Sequence, residues 1–429
     1  MDPAVLAPAG PAQLSIRHQA ALSALWLGLN FQSSALLPIV VPAQVLLLVD
    51  RGSVASSSQA LAVSVLSFGA AVIAIVVTPL AGAFSDSLKT RFGRRRQLIV
   101  AGIAIALAGQ AAVAAGSPLA LFLVGLAVMA LGTNIATAAY QGMLPDQVAA
   151  TQRGAASGWL GLMTLIGSVG SLAAAGLLLG NVTPGAHMES EVSRGALLFY
   201  VLAGVVMAVS AAVTVYGVRE RHDEEPRQAR PWTEVFKHQP FRVVFAARAL
   251  VMIGLTLFLT YIEYYLAATN GASTFVGATV AIALLALLGA LASSLVLGIA
   301  SDRIPRVSIV IGANLAMAAA ACIFVVAPPQ LPLAPLGVLF GLGYGAYLSV
   351  DWALAIDTLS GTGTSARDLG VFTISINLPT LIAPALGGLV ILAADAAGAG
   401  HVAYRLVFTL AAISLLLGVV MVRRIRFAI

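Results

Sequence analysis

Twelve apolar stretches separated by short polar segments run through almost the whole chain. An α-helix rises about 1.5 Å per residue, so a stretch of about 20 residues can cross a hydrocarbon core that is about 30 Å thick. Charged residues make up 9% of the 429 residues and hydrophobic residues 60%, whereas about a quarter of a soluble domain is charged. The sequence therefore predicts an all-α membrane protein with twelve transmembrane helices.

The spans fall into two sets of six, divided by a hydrophilic segment. The first set is predicted near 20–48, 60–83, 98–116, 119–142, 157–180 and 196–218. The second set is predicted near 241–267, 274–298, 307–327, 335–357, 369–393 and 403–422. We therefore expect a tail at 1–19, an N-terminal six-helix half at 20–218, a central linker at 219–240, a C-terminal six-helix half at 241–422 and a second tail at 423–429.

Both tails and the linker are predicted to be cytoplasmic because of the positions of the basic residues. In that orientation the cytoplasmic segments hold 19 of the 23 Lys and Arg residues, and the other four are Arg51, Arg194, Arg248 and Arg405. This bias satisfies the positive-inside rule and indicates an integral protein of a bacterial cytoplasmic membrane. Because the basic residues lie in short clusters between spans rather than on one face, we do not expect a nucleic-acid partner.

Two motifs occur once in each half. Gly82-Ala-Phe-Ser-Asp86 after span 2 is matched by Gly298-Ile-Ala-Ser-Asp302 after span 8, at an offset of 216 residues. Residues 131–146 on span 4 begin with Leu-Gly and end with Asp, and they are matched by 342–357 on span 10 at an offset of 211. Repeated six-helix halves with a substrate site between them are a recurring plan of secondary transporters. The repeat therefore indicates two pseudo-symmetric halves.

The loop between spans 2 and 3 has a specific pattern. It reads Gly82-Ala-Phe-Ser-Asp-Ser-Leu-Lys-Thr-Arg-Phe-Gly-Arg-Arg-Arg96 and resembles the loop signature of the major facilitator superfamily. Residues 145–158 and segments of span 11 between 368 and 388 are similar to the glycoside-pentoside-hexuronide:cation symporters and the related sucrose-type carriers. The resemblance covers both halves. It implies the major facilitator fold and a secondary transporter that works by alternating access.

The resemblance also implies latches that close the cytoplasmic side. Asp86 would engage the start of span 11 near residues 368–370, and Asp302 the start of span 5 near residues 157–158, because a carboxylate is favoured at the exposed N–H groups of a helix start. Arginines would add ion pairs, with topological anchoring as their alternative role. The predicted gating residues are Gly82, Asp86, Arg91, Gly93, Arg94, Arg95, Asp146, Arg153, Asp302, Arg306 and Asp357.

Three ionisable residues lie within the predicted spans, where a charge costs several kcal/mol. Asp351 lies about 9 Å from the cytoplasmic end of span 10, and Arg248 lies at about the same depth on span 7. We therefore expect an Arg248–Asp351 ion pair that faces the cavity and takes part in ion coupling. Glu263 lies near the periplasmic end of span 7, where we expect either a place on the cavity rim or a role in coupling or substrate binding.

Uncharged polar residues on the spans are candidates for hydrogen bonds to a polar substrate. Tyr344, Tyr347 and Asp351 follow the i, i+3, i+7 pattern, so they share one helix face, which is the predicted site. The alternative is that such residues only hold helices together. The predicted substrate-binding residues are Asn30, Gln32, Asn134, Tyr261, Tyr344, Tyr347 and Asn377, with Thr133 and Thr137 as further hydrogen-bond candidates.

Several kinds of function lack their sequence signals. There is no phosphate-binding G-x-x-x-x-G-K-[ST] loop, no metal-ligand cluster and no convincing set of nucleophile and base, so we expect neither enzyme activity nor a cofactor. Cys322 is the single cysteine, which excludes an intramolecular disulfide. Spans 1, 2 and 4 hold no Asp or Glu, whereas sodium-coupled members of the resembled group use carboxylates there. Protons are therefore the expected coupling ion.

The leading hypothesis is a proton-linked carrier of a sugar, glycoside or similar polar metabolite that functions as a monomer in the lipid bilayer. It rests on the resemblance and on Asp351 as a titratable group inside the membrane. One alternative is an exporter of more hydrophobic small molecules, for which aromatic residues and a few amides would suffice. Another alternative is a membrane assembly factor that transports nothing.

Overall fold

Twelve membrane-spanning helical segments lie in the described part of the chain, as the sequence predicts. The computed structural model describes residues 13–50, 59–88, 93–115, 118–179, 188–218, 232–270, 275–327, 334–359 and 366–424. Within these residues, twelve helical segments are long and apolar enough to cross a membrane. The all-α membrane fold with twelve spans is therefore confirmed.

Span 1 is a helix over Ile16–Ser34, a π-helical turn over Leu36–Val40 and a second helix over Val41–Asp50. Each further span is one helix. Spans 2 to 6 are Gln59–Ser87, Arg94–Ala114, Leu119–Gln147, Arg153–Leu179 and Met188–Gly217. Spans 7 to 12 are Gln239–Asn270, Phe275–Ala300, Arg306–Val326, Ala334–Leu359, Ala366–Ala396 and Ala403–Val422.

Several helices begin before the apolar stretch from which they were predicted. Span 1 begins at Ile16, where the Ser15 side chain caps the helix by accepting a hydrogen bond from the His18 N–H. Apolar residues mark only the part of a helix that crosses the hydrocarbon, while the backbone bonds continue into the interface. The predicted linker 219–240 overlaps the start of span 7, because the helix of span 7 already begins at Gln239. Its residues 219–231 lie outside the described part of the chain.

The interruption of span 1 has a local cause in two prolines. Pro38 lies within the π-helical turn Leu36–Val40, and Pro42 lies at the start of the helix that follows. Neither proline has an N–H to donate, so the regular pattern of i to i−4 hydrogen bonds cannot continue through them. By contrast, Pro379 and Pro384 lie inside the continuous helix of span 11.

Within each half, small residues bring the helices close together. In the N-terminal half, Gly132 of span 4 lies against the backbone of Ala106 on span 3. In the C-terminal half, Gly341 of span 10 lies against the backbone of Ala286 on span 8. Small residues at a helix interface allow van der Waals contact between backbones, which is the main attraction between helices in lipid.

The two halves meet at one end of the bundle. This end is formed by the last residues of spans 2, 4, 8 and 10 and the first residues of spans 3, 5, 9 and 11, and we call it the arginine-rich end. A Cβ added to Gly158 of span 5 would lie 3.0 Å from the Cα of Gly298 on span 8. A Cβ added to Gly82 of span 2 would lie 2.5 Å from the carbonyl oxygen of Ala366 on span 11. Glycine at these positions therefore permits the closed arrangement.

Gly158→Leu should force spans 5 and 8 apart at the arginine-rich end, because overpacking a close contact costs about 1–3 kcal/mol. The measurement is maleimide labelling of Ala353→Cys, a position that is 1% exposed, in a protein whose only cysteine has been changed by Cys322→Ser. Labelling should rise roughly tenfold. The control is Gly176→Leu on the same helix, where an added Cβ meets no described atom within 4 Å. Equal labelling of the two variants would contradict the prediction.

Candidate functional site

Asp86, at the end of span 2, caps a helix of the other half. The N–H of Ala366 donates to Asp86 Oδ1 at 3.2 Å, and the N–H of Arg367 donates to Asp86 Oδ2 at 3.1 Å. These are first-turn amides of span 11, which have no acceptor within their own helix. The positive end of the helix dipole adds to the attraction. One carboxylate therefore ties the N-terminal half to the C-terminal half.

Asp302, at the end of span 8, makes the equivalent contact in the reverse direction. The N–H of Gly154 donates to Asp302 Oδ1 at 2.7 Å, and the N–H of Ala155 donates to Asp302 Oδ2 at 3.0 Å. These amides belong to the first turn of span 5. The two carboxylates were matched in the sequence repeat, and the structure places them in matched contacts between the halves.

Arginines join each carboxylate to a second one. In the Asp86 cluster, Arg95 lies 2.8 Å from Asp86 and 3.1 Å from Asp146, and Arg94 lies 3.2 Å from Asp146. In the Asp302 cluster, Arg306 pairs with both Asp302 and Asp357, and Arg153 lies 3.0 Å from Asp357. Arg153 and Asp357 come from different halves, so this ion pair also crosses the interface.

The two clusters differ in their contact with solvent. The paired side chains of the Asp86 cluster are 0–9% exposed, whereas those of the Asp302 cluster are 13–25% exposed. Burial strengthens an ion pair that is fully bonded and makes the loss of one partner costly. Removing Asp86 should therefore cost more than removing Asp302.

Asp86 and Asp302 contact the predicted helix starts, slightly earlier in the chain than expected. The latches form at residues 366–367 and 154–155, two or three residues before the predicted positions, because only first-turn amides lack a partner inside the helix. Gly93 has φ 93°, which favours glycine, and it precedes span 3. Arg91 lies outside the described residues.

Arg248 and Asp351 form the expected ion pair. Arg248 Nη2 of span 7 lies 2.6 Å from Asp351 Oδ2 of span 10. The Tyr347 hydroxyl donates to Asp351 Oδ1 at 3.0 Å, and the Arg248 guanidinium lies 4.1 Å from the centre of the Phe372 ring on span 11. Three spans of the C-terminal half therefore enclose one ion pair, with an aromatic face against the cation.

The ion pair is enclosed instead of facing an open cavity, which corrects the sequence-based prediction. The Arg248 and Asp351 side chains are 6% and 7% exposed. Phe372 covers one side of the pair, and it packs in turn on Phe241 with ring centres 6.0 Å apart. In this conformation, a substrate would need a movement of span 7, 10 or 11 to touch either charge.

Polar faces of spans 4 and 11 define a cleft between the halves. On span 4, Asn134 and Thr137 are partly exposed, while Gln141 on the same face is buried. On span 11, Thr380 is exposed, while Asn377 and Thr373 on the same face are partly exposed. Exposure therefore increases with distance from the arginine-rich end. We call the accessible space between these two faces the cavity, and its end away from the arginines the open end.

One hydrogen bond between the halves forms the floor of this cavity. The Thr373 hydroxyl of span 11 donates to Gln141 Oε1 of span 4 at 3.1 Å. In the internal repeat, Asp351 corresponds to Tyr140, the residue before Gln141. The Arg248–Asp351 pair therefore lies at about the level of the floor. No sequence signal marks Gln141, Thr373 or Phe372, since their importance comes from partners on distant helices.

Two predicted substrate-binding residues have their polar groups bonded inside the protein in this conformation. Gln32 is buried; its Nε2 donates to Gln110 at 2.7 Å and its Oε1 accepts from Thr133 at 2.8 Å. The Tyr261 hydroxyl donates to the carbonyl oxygen of Pro384 at 2.6 Å. These contacts join helices, which is the alternative role considered for such residues.

The other candidates keep exposed surface or belong to the ion pair. Asn30, Asn134, Tyr344 and Asn377 are partly exposed, while Tyr347 is buried against Asp351. Asn134 is oriented by its neighbours, since its Nδ2 donates to the Ala130 carbonyl at 2.8 Å and its Oδ1 accepts from Thr78 at 3.0 Å. Glu263 is exposed. Substrate contact by these residues stays a prediction.

Two six-helix halves, latched at one end and parted by a polar cavity at the other, define a membrane transporter. The chain belongs to the Major Facilitator Superfamily, whose family model matches residues 24–366 and 244–428. Members of this family are transporters. The resemblance to the glycoside-pentoside-hexuronide group stays a prediction. No curated protein sequence matches the chain.

Solved structures share the fold at low sequence identity. FucP, a Major Facilitator Superfamily transporter in the outward conformation, is 14% identical with a TM-score of 0.67, covering 94% of this chain and 98% of FucP. A single-substitution variant of the E. coli fucose:proton symporter FucP is 15% identical with a TM-score of 0.66, covering 94% and 97%. A bacterial homologue of the iron transporter ferroportin, in an outward-facing state, is 16% identical with a TM-score of 0.66, covering 96% and 99%.

Asp86→Asn should open the arginine-rich end, because the amide loses the charge that the helix start and Arg95 attract. Losing a well-placed charge at a helix start costs up to about 2 kcal/mol, which corresponds to a labelling increase of more than tenfold at Ala353→Cys. Asp302→Asn is the matched comparison and should increase labelling less. Melting temperature confirms that both variants fold. Unchanged labelling in Asp86→Asn would exclude the latch.

Arg248→Ala and Asp351→Ala should each destabilise the protein more than the double change does. Removing one partner leaves a buried charge without its counterion, which costs about 3–5 kcal/mol, whereas removing both leaves no charge. Melting temperatures of the two single variants and the double variant give the coupling energy. Losses that add independently would mean that the two side chains do not interact.

Proposed function

We propose that this protein is a proton-linked carrier of a sugar or a similar uncharged polar metabolite, which works by alternating access. The observation that carries the proposal is the combination of a cavity with amide and hydroxyl walls and one enclosed carboxylate–guanidinium pair at the level of its floor. The amides and hydroxyls provide neutral hydrogen-bond partners for a substrate. The ion pair provides a group whose charge can change.

The walls of the cavity favour a neutral substrate. The faces that line it carry Asn134 and Thr137 on span 4 and Asn377 and Thr380 on span 11. An anionic or cationic substrate would need an opposite charge there, because a bare charge in a low-dielectric site is costly. Amides and hydroxyls can both donate and accept, which suits a ligand with several hydroxyl groups.

Asp351 is the residue that would carry the proton. As a carboxylate it is held by Arg248 at 2.6 Å and by Tyr347 at 3.0 Å. A proton on Asp351 would cancel the ionic attraction and leave Arg248 beside the Phe372 face and the Tyr347 hydroxyl, neither of which carries a negative charge. Protonation therefore changes the contacts among spans 7, 10 and 11, and span 11 is the helix whose start Asp86 holds. Proton binding at Asp351 would therefore be linked through span 11 to the Asp86 latch.

The orientation follows from the positive-inside rule. We place the arginine-rich end in the cytoplasm and the open end of the cavity outside, so the described conformation faces outward. The fold likeness to a fucose:proton symporter in the outward conformation supports this reading. Inward opening would break both latches and the Gln141–Thr373 floor.

Asp351→Asn should abolish accumulation of substrate against its gradient, while downhill exchange survives. During exchange the carrier holds substrate as it moves in either direction, so no net movement of protons is needed. Accumulation against a gradient does need net proton movement. The measurement pairs uptake driven by an imposed pH step with counterflow in the same proteoliposomes. The substrate is taken from a panel of hexoses and glycosides by the ligand-induced rise in melting temperature.

Asp395→Asn changes an exposed aspartate at the other end of span 11 and is the control that should leave both activities intact. If Asp351→Asn still concentrates substrate, coupling lies elsewhere, with Glu263 as the next residue to change. If the variant loses both activities, Asp351 binds substrate or supports the fold instead of carrying the proton.

A further inference from the structure

One face of span 1 shows the same exposure gradient as the cavity walls. Gln19, Ser23, Trp26, Asn30 and Ser33 recur at helical spacing on this face. Gln19 and Ser23 are buried, Trp26 and Asn30 are partly exposed, and Ser33 is exposed. Span 1 begins at the arginine-rich end, where Leu14 bonds to Gln152 just before span 5, so exposure rises with distance from that end. Trp26 is therefore the first side chain of this face that keeps exposed surface.

Neighbours on both sides hold the Trp26 ring in place. Its Nε1–H donates to Thr164 Oγ1 of span 5 at 2.7 Å. Its ring stacks on Tyr140 of span 4, with centroids 5.7 Å apart and an angle of 22° between the planes. Tyr140 is itself buried and anchored, because its hydroxyl donates to the Leu22 carbonyl at 2.9 Å. The indole is thus fixed between two helices of the N-terminal half.

These contacts determine which groups of Trp26 and Asn30 remain available to a ligand in the cavity. The only polar atom of the indole is used by Thr164, so the ring offers the cavity an apolar surface with a negative π face. One turn further along, Asn30 Nδ2 donates to the Trp26 carbonyl at 2.7 Å, which directs the Asn30 amide and leaves Oδ1 as its acceptor. A fixed flat ring therefore lies beside a hydrogen-bond acceptor.

We propose that Trp26 is the stacking platform of the substrate site and that the substrate is a saturated ring with hydroxyl groups, of the pyranose type. This inference rests on the proposed function and specifies its substrate class. The C–H groups on one face of such a ring carry slight positive charge and suit the π face of the indole. The hydroxyl groups on its edge would reach Asn30 and, across the cavity, the amides of spans 4 and 11.

An aromatic or wholly apolar ligand fits this surface less well. Such a ligand would cover Trp26 but deprive the Asn30 Oδ1 and the Asn377 amide of water without replacing its hydrogen bonds, which is costly for each group. An open-chain polyol would satisfy the amides but offers no flat face to the indole. Only a ring that is apolar on its face and polar on its edge matches both features.

The first experiment keeps Trp26 and removes the other three tryptophans by Trp159→Phe, Trp232→Phe and Trp352→Phe. Indole fluorescence is then titrated with D-galactose, methyl β-D-glucopyranoside, melibiose and galactitol. Galactitol is the matched control, because it has the hydroxyl groups of galactose without the ring. At least one ring sugar should change the emission and bind about tenfold more tightly than galactitol.

The second experiment tests the side chain by melting-temperature shifts and by transport in proteoliposomes. Trp26→Leu should weaken ring-sugar binding about tenfold, whereas Trp26→Phe, which keeps a π face, should weaken it less. Thr164→Val should weaken binding by an intermediate factor, because the Trp26 ring remains but loses its hydrogen bond to Thr164. Trp352→Phe, a buried tryptophan on span 10, should leave affinity unchanged.

The outcomes separate the two proposals. If a sugar binds and is transported but Trp26→Leu binds it equally well, the platform is excluded and the proposed function stands. If galactitol binds as tightly as the ring sugars, the ring requirement is excluded. If the folded protein neither binds nor transports any sugar of the panel, and binds aromatic cations such as ethidium instead, both proposals are overturned.

Discussion

Two helix starts and two carboxylates decide how the halves are joined. Backbone N–H groups in the first turn of a helix have no acceptor within their own helix. Asp86 accepts hydrogen bonds from the first-turn N–H groups of span 11, and Asp302 accepts them from those of span 5. Each half therefore caps a helix of the other half. Closure at this end brings the glycine contacts of spans 2, 5, 8 and 11 together and leaves the cavity open in the other direction.

The first two turns of span 11 connect three parts of the molecule. Ala366 and Arg367 bond to Asp86, Phe372 lies against Arg248, and Thr373 bonds to Gln141 at the floor. One short helical segment therefore contacts the latch, the enclosed ion pair and the base of the cavity. These three contacts therefore lie within about two turns of a single helix.

The twelve spans, their pairing as a repeat and the Arg248–Asp351 pair could be predicted, because hydrophobic length, motif spacing and the cost of a lone charge in lipid are written in the sequence. The rotation of each helix about its own axis could not be predicted from the sequence. Spans that are apolar on every side give no periodic signal for which face meets a neighbour. Gln32 was therefore assigned to the cavity although it bonds to Gln110, and the Gln141–Thr373 floor went unnoticed.

The unequal burial of the two charge clusters makes closure sensitive to ionic strength on one side only. At physiological salt, mobile ions screen the interaction between solvent-exposed charges over a distance of about 8 Å. They screen enclosed ion pairs far less. The Asp302 cluster is 13–25% exposed and the Asp86 cluster 0–9%. Rising salt therefore weakens the charged contacts of the seam between spans 5 and 8 more than those of the seam between spans 2 and 11.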